Sequence, residues 1–250
     1  MSSDHSLIRT QDGSLSLFNH IVSESYHSKG GALQESQELY IKGSGIRRAL
    51  LSHSSDEIAV LDVGLGAGYN ANTTIDAWQE SCGLKNLRLC SLEKDPFLIS
   101  ELISGNGIWQ KEWSLSWRQR GKQLSSTDGQ TYTAILPHPA SGKQLIWEVL
   151  YGDASRMQVP VSQHRWHFIW QDPFSPTRNQ ELWTSEWFSL LKRSAAEDCV
   201  LMSYSVARSV KDALQAAGWL AEKIPASQSK RSWLKAIPLS LTSDKEEQNT

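Results

Sequence analysis

The stretch Ile58-Ala59-Val60-Leu61-Asp62-Val63-Gly64-Leu65-Gly66-Ala67-Gly68-Tyr69-Asn70 constrains the fold more than any other part of the chain. It begins as a short apolar run, partly β-branched and bounded by glycine, which is the pattern of a buried strand. Three glycines then alternate with small or apolar residues. Beyond Asn70, Ala71, Ile75 and Trp78 recur at helical spacing. Strand, glycine loop and helix in that order open a nucleotide-type α/β fold. Glycine permits the tight turn and lets a ligand approach the backbone closely. The helix start presents unpaired N–H groups. A dinucleotide fingerprint would need its last glycine at position 69, where Tyr69 stands. The Gly-x-Gly-x-Gly spacing favours S-adenosylmethionine (SAM) over NAD. A ligand-free strand–helix turn has the same local pattern, so the acids downstream carry weight.

Leu87–Glu93 alternates and ends in an acid, as a second parallel strand should. Glu93 falls some twenty residues beyond the glycines, where a carboxylate accepts bonds from ribose hydroxyls. A strand at Leu145–Leu150 runs into Gly152-Asp153-Ala154, where an acid and the next backbone N–H can receive an adenine ring. A simple turn would also explain that tripeptide. The strand Trp166–Trp170 leads directly into Gln171-Asp172-Pro173-Phe174-Ser175-Pro176. Ligands of open α/β sheets lie beyond the carboxyl ends of strands, so Asp172 is expected to face the same crevice as the glycines, Glu93 and Asp153. The prolines hold the backbone around it. An acid and an aromatic beside a methyl sulfonium suit methyl transfer to an amine. Asp172 would orient the amine and accept its proton, and Phe174 would stack on a base or pack on the donor. Read alone, Asp172 is also an ordinary capping residue in a proline turn.

The chain has 250 residues, enough for one α/β domain with a full core. Its formal net charge of -2 gives no global signature of a nucleic-acid binder. Cys82, Cys90 and Cys199 are scattered and form no C-x-x-C pair, so reduced core thiols are expected, with no zinc site and no disulfide framework. No apolar run approaches membrane-spanning length. A soluble, cytoplasmic protein without metal is the expectation.

Elsewhere, Leu15–Phe18 and Leu39–Ile41 read as short strands flanking an ordered polar loop at 26–36, and Ser44–Leu51 as a short helix. Pro96 opens a helix. Trp109, Trp113 and Trp117 recur every four residues, which predicts one helical face packed in the core. Tyr132–Leu136 reads as a strand. Glu181–Arg193 and Val206–Ala217 read as helices, the second closed by Gly218. Val200–Tyr204 is a strand, and Trp219–Ile224 with Trp233–Ile237 predicts an antiparallel edge hairpin. Residues 240–250 are polar, charged and expected to be disordered.

Assembled, these motifs resemble the SAM-dependent methyltransferase domain of the tRNA 5-methylaminomethyl-2-thiouridine biosynthesis family. The resemblance runs from about Asp12 to Ala236. It rests on Tyr26-His27-Ser28 with Gly31-Ala32 and Glu35, then Tyr40-Ile41-Lys42-Gly43; on Gly64 to Asn70; on Glu93-Lys94; and on Asp172 to Pro176 with Asn179 and Leu182-Trp183-Thr184. It implies an α/β class I methyltransferase fold, a Rossmann-like doubly wound sheet with a C-terminal antiparallel hairpin. A β extension over residues 1–43 would pack on a methyltransferase domain at 44–239. It implies N-methylation, by SAM, of the 5-aminomethyl group of the tRNA wobble uridine. Asp172 is then catalytic with Phe174. Tyr26, Ser28, Glu35, Gly64, Gly66, Gly68, Asn70, Glu93, Asp153 and Ala154 hold the donor. Phe174, Arg178, Lys230 and Arg231 meet the substrate, the anticodon stem-loop of tRNA. Many relatives are fused to a flavin-dependent oxidase that makes the amine. Without that half, a separate enzyme making the aminomethyl precursor is the expected partner. Gln171 departs from the apolar residue expected before the catalytic aspartate. Two other readings stay open: the same fold acting on another amine, either a small metabolite or another nucleic-acid base, and a non-catalytic SAM- or RNA-binding module.

Overall fold

A computed structural model describes residues 4–157, 165–226 and 232–239. The run around Val60 forms β4 (Glu57–Val63), every residue after Glu57 buried. It pairs in parallel with β5 (Asn86–Glu93) on one side and β8 (Trp166–Gln171) on the other. Burial on both faces explains why β4 reads as a near-continuous apolar run. β7 (Gln144–Tyr151) continues beyond β5 in parallel, and β6 (Thr131–Pro137) closes that edge antiparallel. On the other side β9 (Ala195–Ser203) pairs in parallel with β8. The expected hairpin, β10 (Trp219–Pro225) and β11 (Ser232–Pro238), joins β9 antiparallel. The eight-stranded order is β10-β11-β9-β8-β4-β5-β7-β6. The order reverses between β4 and β8, and their carboxyl ends open a crevice there.

Helices cover both faces. α3 (Tyr69–Gln79), α4 (Pro96–Ser104) and α5 (Leu115–Lys122) form one group, and α6 (Ser185–Ser194) and α7 (Arg208–Ala216) the other. Pro96 sits at the start of α4 behind an Asp95 cap that accepts from the Phe97 N–H, and Gly218 (φ 78°) follows α7 as expected. A separate three-stranded antiparallel sheet, β1 (His5–Arg9), β2 (Leu15–Asn19) and β3 (Glu24–Ser25), packs beside the crevice.

Three local expectations fail. The helix expected over Glu181–Arg193 starts only at Ser185, because Gln180–Trp183 forms a separate 3-10 turn and Thr184 is the extended cap of α6. Leu39-Tyr40-Ile41 is not a strand. After a turn of helix α1 (Ala32–Glu35), residues Ser36–Lys42 form a π-helix that leads to α2 (Ile46–Ser52). A β-branched and aromatic triplet has strand propensity, but burial against α3 and β9 overrides it. The three tryptophans do not share one helix either. Trp109 lies in a 3-10 turn (Ile108–Glu112), Trp113 is extended, and Trp117 follows the Ser114 cap into α5. All three are buried. Trp113 and Trp117 meet Tyr69 edge-on at 5.7 and 5.8 Å, so they back the glycine loop from several elements. The expected tail at 240–250 lies outside the described residues.

Candidate active site

The glycine loop leaves β4 with three left-handed residues, Gly64 (φ 93°), Gly66 (φ 53°) and Gly68 (φ 82°). At Gly64 a Cβ would come within 2.8 Å of the Asp172 carbonyl oxygen, so glycine is required to let the β4 and β8 loops touch. The Gly66 N–H donates to Glu93 Oε2 at 2.8 Å. Gly68 instead starts α3 and packs toward Trp113, away from the cavity wall.

A cavity of about 280 Å³ opens beside this loop. Glu93 reaches it from the end of β5, where its Oε1 accepts the Lys94 and Asp95 N–H groups at 2.9 and 2.8 Å. Burial outweighs these donors and pushes the Glu93 carboxyl up to about 7. From the end of β7, Gly152, Asp153 and Ala154 line the cavity. Bonds from the Ser155 hydroxyl and N–H hold the Asp153 carboxyl below the usual range. Asp172 projects from the end of β8. Its N–H donates to the Val63 carbonyl at 3.0 Å and its Oδ2 accepts from Asn70 Nδ2 at 2.7 Å, so it caps no helix.

The N-terminal sheet and the loop after it supply the opposite wall through Glu24, Ser25, Tyr26, His27, Ser28 and Glu35. The Tyr26 ring lies 4.8 Å from Phe174, and its hydroxyl sits 3.1 Å from both His5 Nε2 and Asn19 Nδ2. Glu24 accepts from the Ser175 N–H (3.1 Å) and hydroxyl (2.6 Å), tying this wall to the Asp172–Pro176 turn. Tyr204 donates to the Pro173 carbonyl at 2.9 Å, and Trp183 Nε1 to the Phe174 carbonyl at 2.8 Å. The polar Gln171 is buried but satisfied, donating to the Leu182 carbonyl and accepting from Trp187 Nε1.

The structure thus gathers Tyr26, Ser28, Glu35, Gly64, Gly66, Glu93, Asp153, Ala154, Asp172 and Phe174 around one cavity. Asn70 is not in its wall but lies buried against Asp172. Arg178 is exposed on the turn after Phe174 and outside the lining. Lys230 and Arg231 lie outside the described residues. Sequence reading missed Glu24 and Tyr204. A lone acid in an N-terminal turn and a tyrosine ending a strand carry no local signal of a shared site.

The cavity wall holds the carboxylates of Glu24, Glu35, Glu93, Asp153 and Asp172 against a single lysine, Lys94. Such a wall suits a cationic ligand. SAM fits on this ground and on the close backbone approach that Gly64 and Gly66 allow. Among the described residues, His53, His167 and Asp198 form one potential metal-binding group, at the opposite end of the strands. Each histidine Nδ1 accepts a backbone N–H at 3.0 Å, from Ser55 and Ala59. The proton of each neutral ring is thereby placed on Nε2, and that of His53 points to Asp198 at 2.8 Å. With the proton on Nε2, neither neutral ring presents an open ligand atom there.

A family model described as S-adenosyl-L-methionine-dependent methyltransferase matches residues 130–238. The chain is 30% identical over 207 residues to the tRNA 5-methylaminomethyl-2-thiouridine biosynthesis bifunctional protein MnmC of Aromatoleum aromaticum, covering 82% of this chain and 31% of that protein. With the MnmC protein of Azoarcus sp. the identity is 26% over 211 residues, covering 84% and 32%. The chain therefore spans about a third of the length of the curated relatives it matches. The crystal structure of MNMC2 from Aquifex aeolicus superposes with a TM-score of 0.75 at 26% identity, covering 95% of this chain and 72% of that one. Fold, crevice and family model define a SAM-dependent methyltransferase. Within that class its relatives are the MnmC proteins, and the resemblance read in the sequence is borne out.

Proposed function

We propose that this chain methylates the 5-aminomethyl nitrogen of the wobble uridine in tRNA, with Asp172 as the group that receives the amine. The observation that carries the reading is the placement of Asp172. It stands at the switch point of the sheet, bonded through its backbone to β4 and through its side chain to Asn70, in a wall rich in carboxylates. The relatives' names supply the substrate class. When bound, SAM supplies a methyl group made electrophilic by its sulfonium. In this reading Glu93 and Asp153 hold the ribose and adenine ends, and Gly64 and Gly66 let the donor lie against the backbone. Asp172 hydrogen-bonds the neutral amine and aims its lone pair at the methyl carbon. A nitrogen–carbon bond forms as the carbon–sulfur bond breaks, leaving S-adenosylhomocysteine and a methylated ammonium. Its proton passes to Asp172, directly or through water. Phe174, packed on Tyr26, stacks on the base. Arg178, Lys230 and Arg231 are proposed contacts for the anticodon stem-loop.

Two measurements test this. Nucleosides from tRNA of cells lacking the protein should lose the methylaminomethyl uridine derivatives seen in its presence, and an unchanged profile refutes the tRNA assignment. With purified enzyme, Asp172→Asn and Asp172→Ala should lower methyl transfer by about 100-fold or more while SAM still binds. Normal turnover by either variant removes the role given to Asp172. A small cationic amine is the second reading, favoured by the carboxylate excess of the wall, and activity on such an amine without tRNA would select it.

A further inference from the structure

Asp172 has a buried neighbour that stands outside the cavity lining. This is Asn70, near the start of α3 and 2% exposed. Its Nδ2 donates to Asp172 Oδ2 at 2.7 Å, and its Oδ1 accepts from the Ser36 hydroxyl at 2.6 Å. Ser36 is itself buried and opens the π-helix. π-Helices are rare and recur at functional sites. Here the π-helix also places Tyr40 beside Asp172. The Tyr40 hydroxyl is fully buried, and burial together with the neighbouring Asp172 carboxylate raises its pKa.

An amide side chain has two ends of nearly equal shape and opposite polarity. Turned one way, Asn70 gives Asp172 an N–H donor. Turned the other way, it sets a carbonyl oxygen against the carboxylate. The acceptor-only carboxylate of Asp172 takes the N–H end, and the Ser36 hydroxyl, donating to the carbonyl end, holds the amide in that orientation. Asp62, fully buried and bonded to the Ser91 hydroxyl at 2.9 Å, is also met by the Asn70 side chain, so the N–H end of the amide faces two acids.

We infer that Asn70, oriented by Ser36, is a positioning residue for methyl transfer, pinning one oxygen of Asp172 and so setting the plane in which the carboxylate meets the acceptor amine. The inference rests on the reading that Asp172 receives the amine. It departs from the donor-binding role expected of Asn70 in the sequence, and the two roles separate in one experiment.

Asn70→Ala and Ser36→Ala are compared with the full wild-type chain by calorimetric titration with SAM, and by turnover at saturating SAM on aminomethyl-bearing tRNA. The expected result is SAM affinity within about twofold of wild type for both. Turnover falls about tenfold to a hundredfold in Asn70→Ala and less in Ser36→Ala, the range for losing a hydrogen bond to a charged group. Lost SAM affinity with turnover kept at saturation restores the donor-binding role and overturns the inference, as does unchanged behaviour in both variants. If Asn70→Ala does not fold, Ser36→Ala carries the comparison. If the wild type does not methylate tRNA, the substrate assignment fails separately. The crystal structure of Ser36→Ala then decides: an Asp172 carboxylate rotated from its wild-type plane supports the inference, and an unmoved one overturns it.

Discussion

Glu93 shows how one buried acid ties stability to ligand binding. Its carboxyl titrates near 4.5 in an unfolded chain and near 7 in the folded protein, because burial opposes its charge more than three backbone donors support it. Folding therefore favours the protonated form. The stabilising contribution is complete below pH 4.5 and disappears as the pH rises through 7. The stability difference between wild type and Glu93→Gln should change by on the order of 3 kcal/mol from pH 4.5 to pH 8 without SAM, read by chemical denaturation at each pH. A flat difference would place the carboxyl in an ordinary range. A ribose that bonds the carboxylate prefers the ionised form, so SAM affinity of the wild type should climb across the same interval. Glu93 was legible in sequence because its distance from the glycines is set by one strand–helix–strand unit. Asn70 was legible only as part of a motif, and its actual partner, Asp172, is 102 residues away.

At the scale of elements, the site is held by contacts between pieces that no local pattern links. The N-terminal sheet is fastened to the β8 turn by Glu24 on Ser175 and by Tyr26 against Phe174. It is fastened to the start of α4 by His5 Nε2 at 3.0 Å from Asp95 Oδ2. Glu24→Ala should leave the Ser175 N–H and hydroxyl without their acceptor and free the turn that carries Asp172 and Phe174. The expected loss is about 1–3 kcal/mol of stability, with a larger relative fall in turnover than in SAM affinity. Thermal melts and steady-state kinetics on the same variant check both parts. Strands with alternating or continuous apolar runs were readable because burial writes its period into the sequence. The π-helix and the broken tryptophan stripe were not. In both, the residues are apolar at a spacing that suits a regular element, while the backbone path is chosen by the surfaces they pack against.

For the whole molecule, charge frames the question of a large polyanionic partner. The net charge is -2, and the cavity wall adds a local excess of acid. A tRNA would have to be held by basic groups outside that wall, with few phosphates neutralised. Raising salt from about 50 to about 200 mM should then weaken tRNA methylation with a shallow log–log slope, while leaving SAM affinity nearly constant. Turnover indifferent to salt would instead favour the small-amine reading. Among the described residues no helix is long and apolar enough to cross a membrane, which agrees with the absence of long apolar runs. The sequence alone determined the parallel sheet, its glycine loop and the acids at its strand ends, since each depends on a short local pattern repeated at fixed spacing. Only the tertiary structure decided what those acids meet. It brought Glu24 from the N-terminal sheet onto the β8 turn and set Asn70 and Ser36 against Asp172. It also wound Leu39–Ile41 into a π-helix, because a hydrogen bond or a buried face is chosen by neighbours in space and leaves no period in the chain.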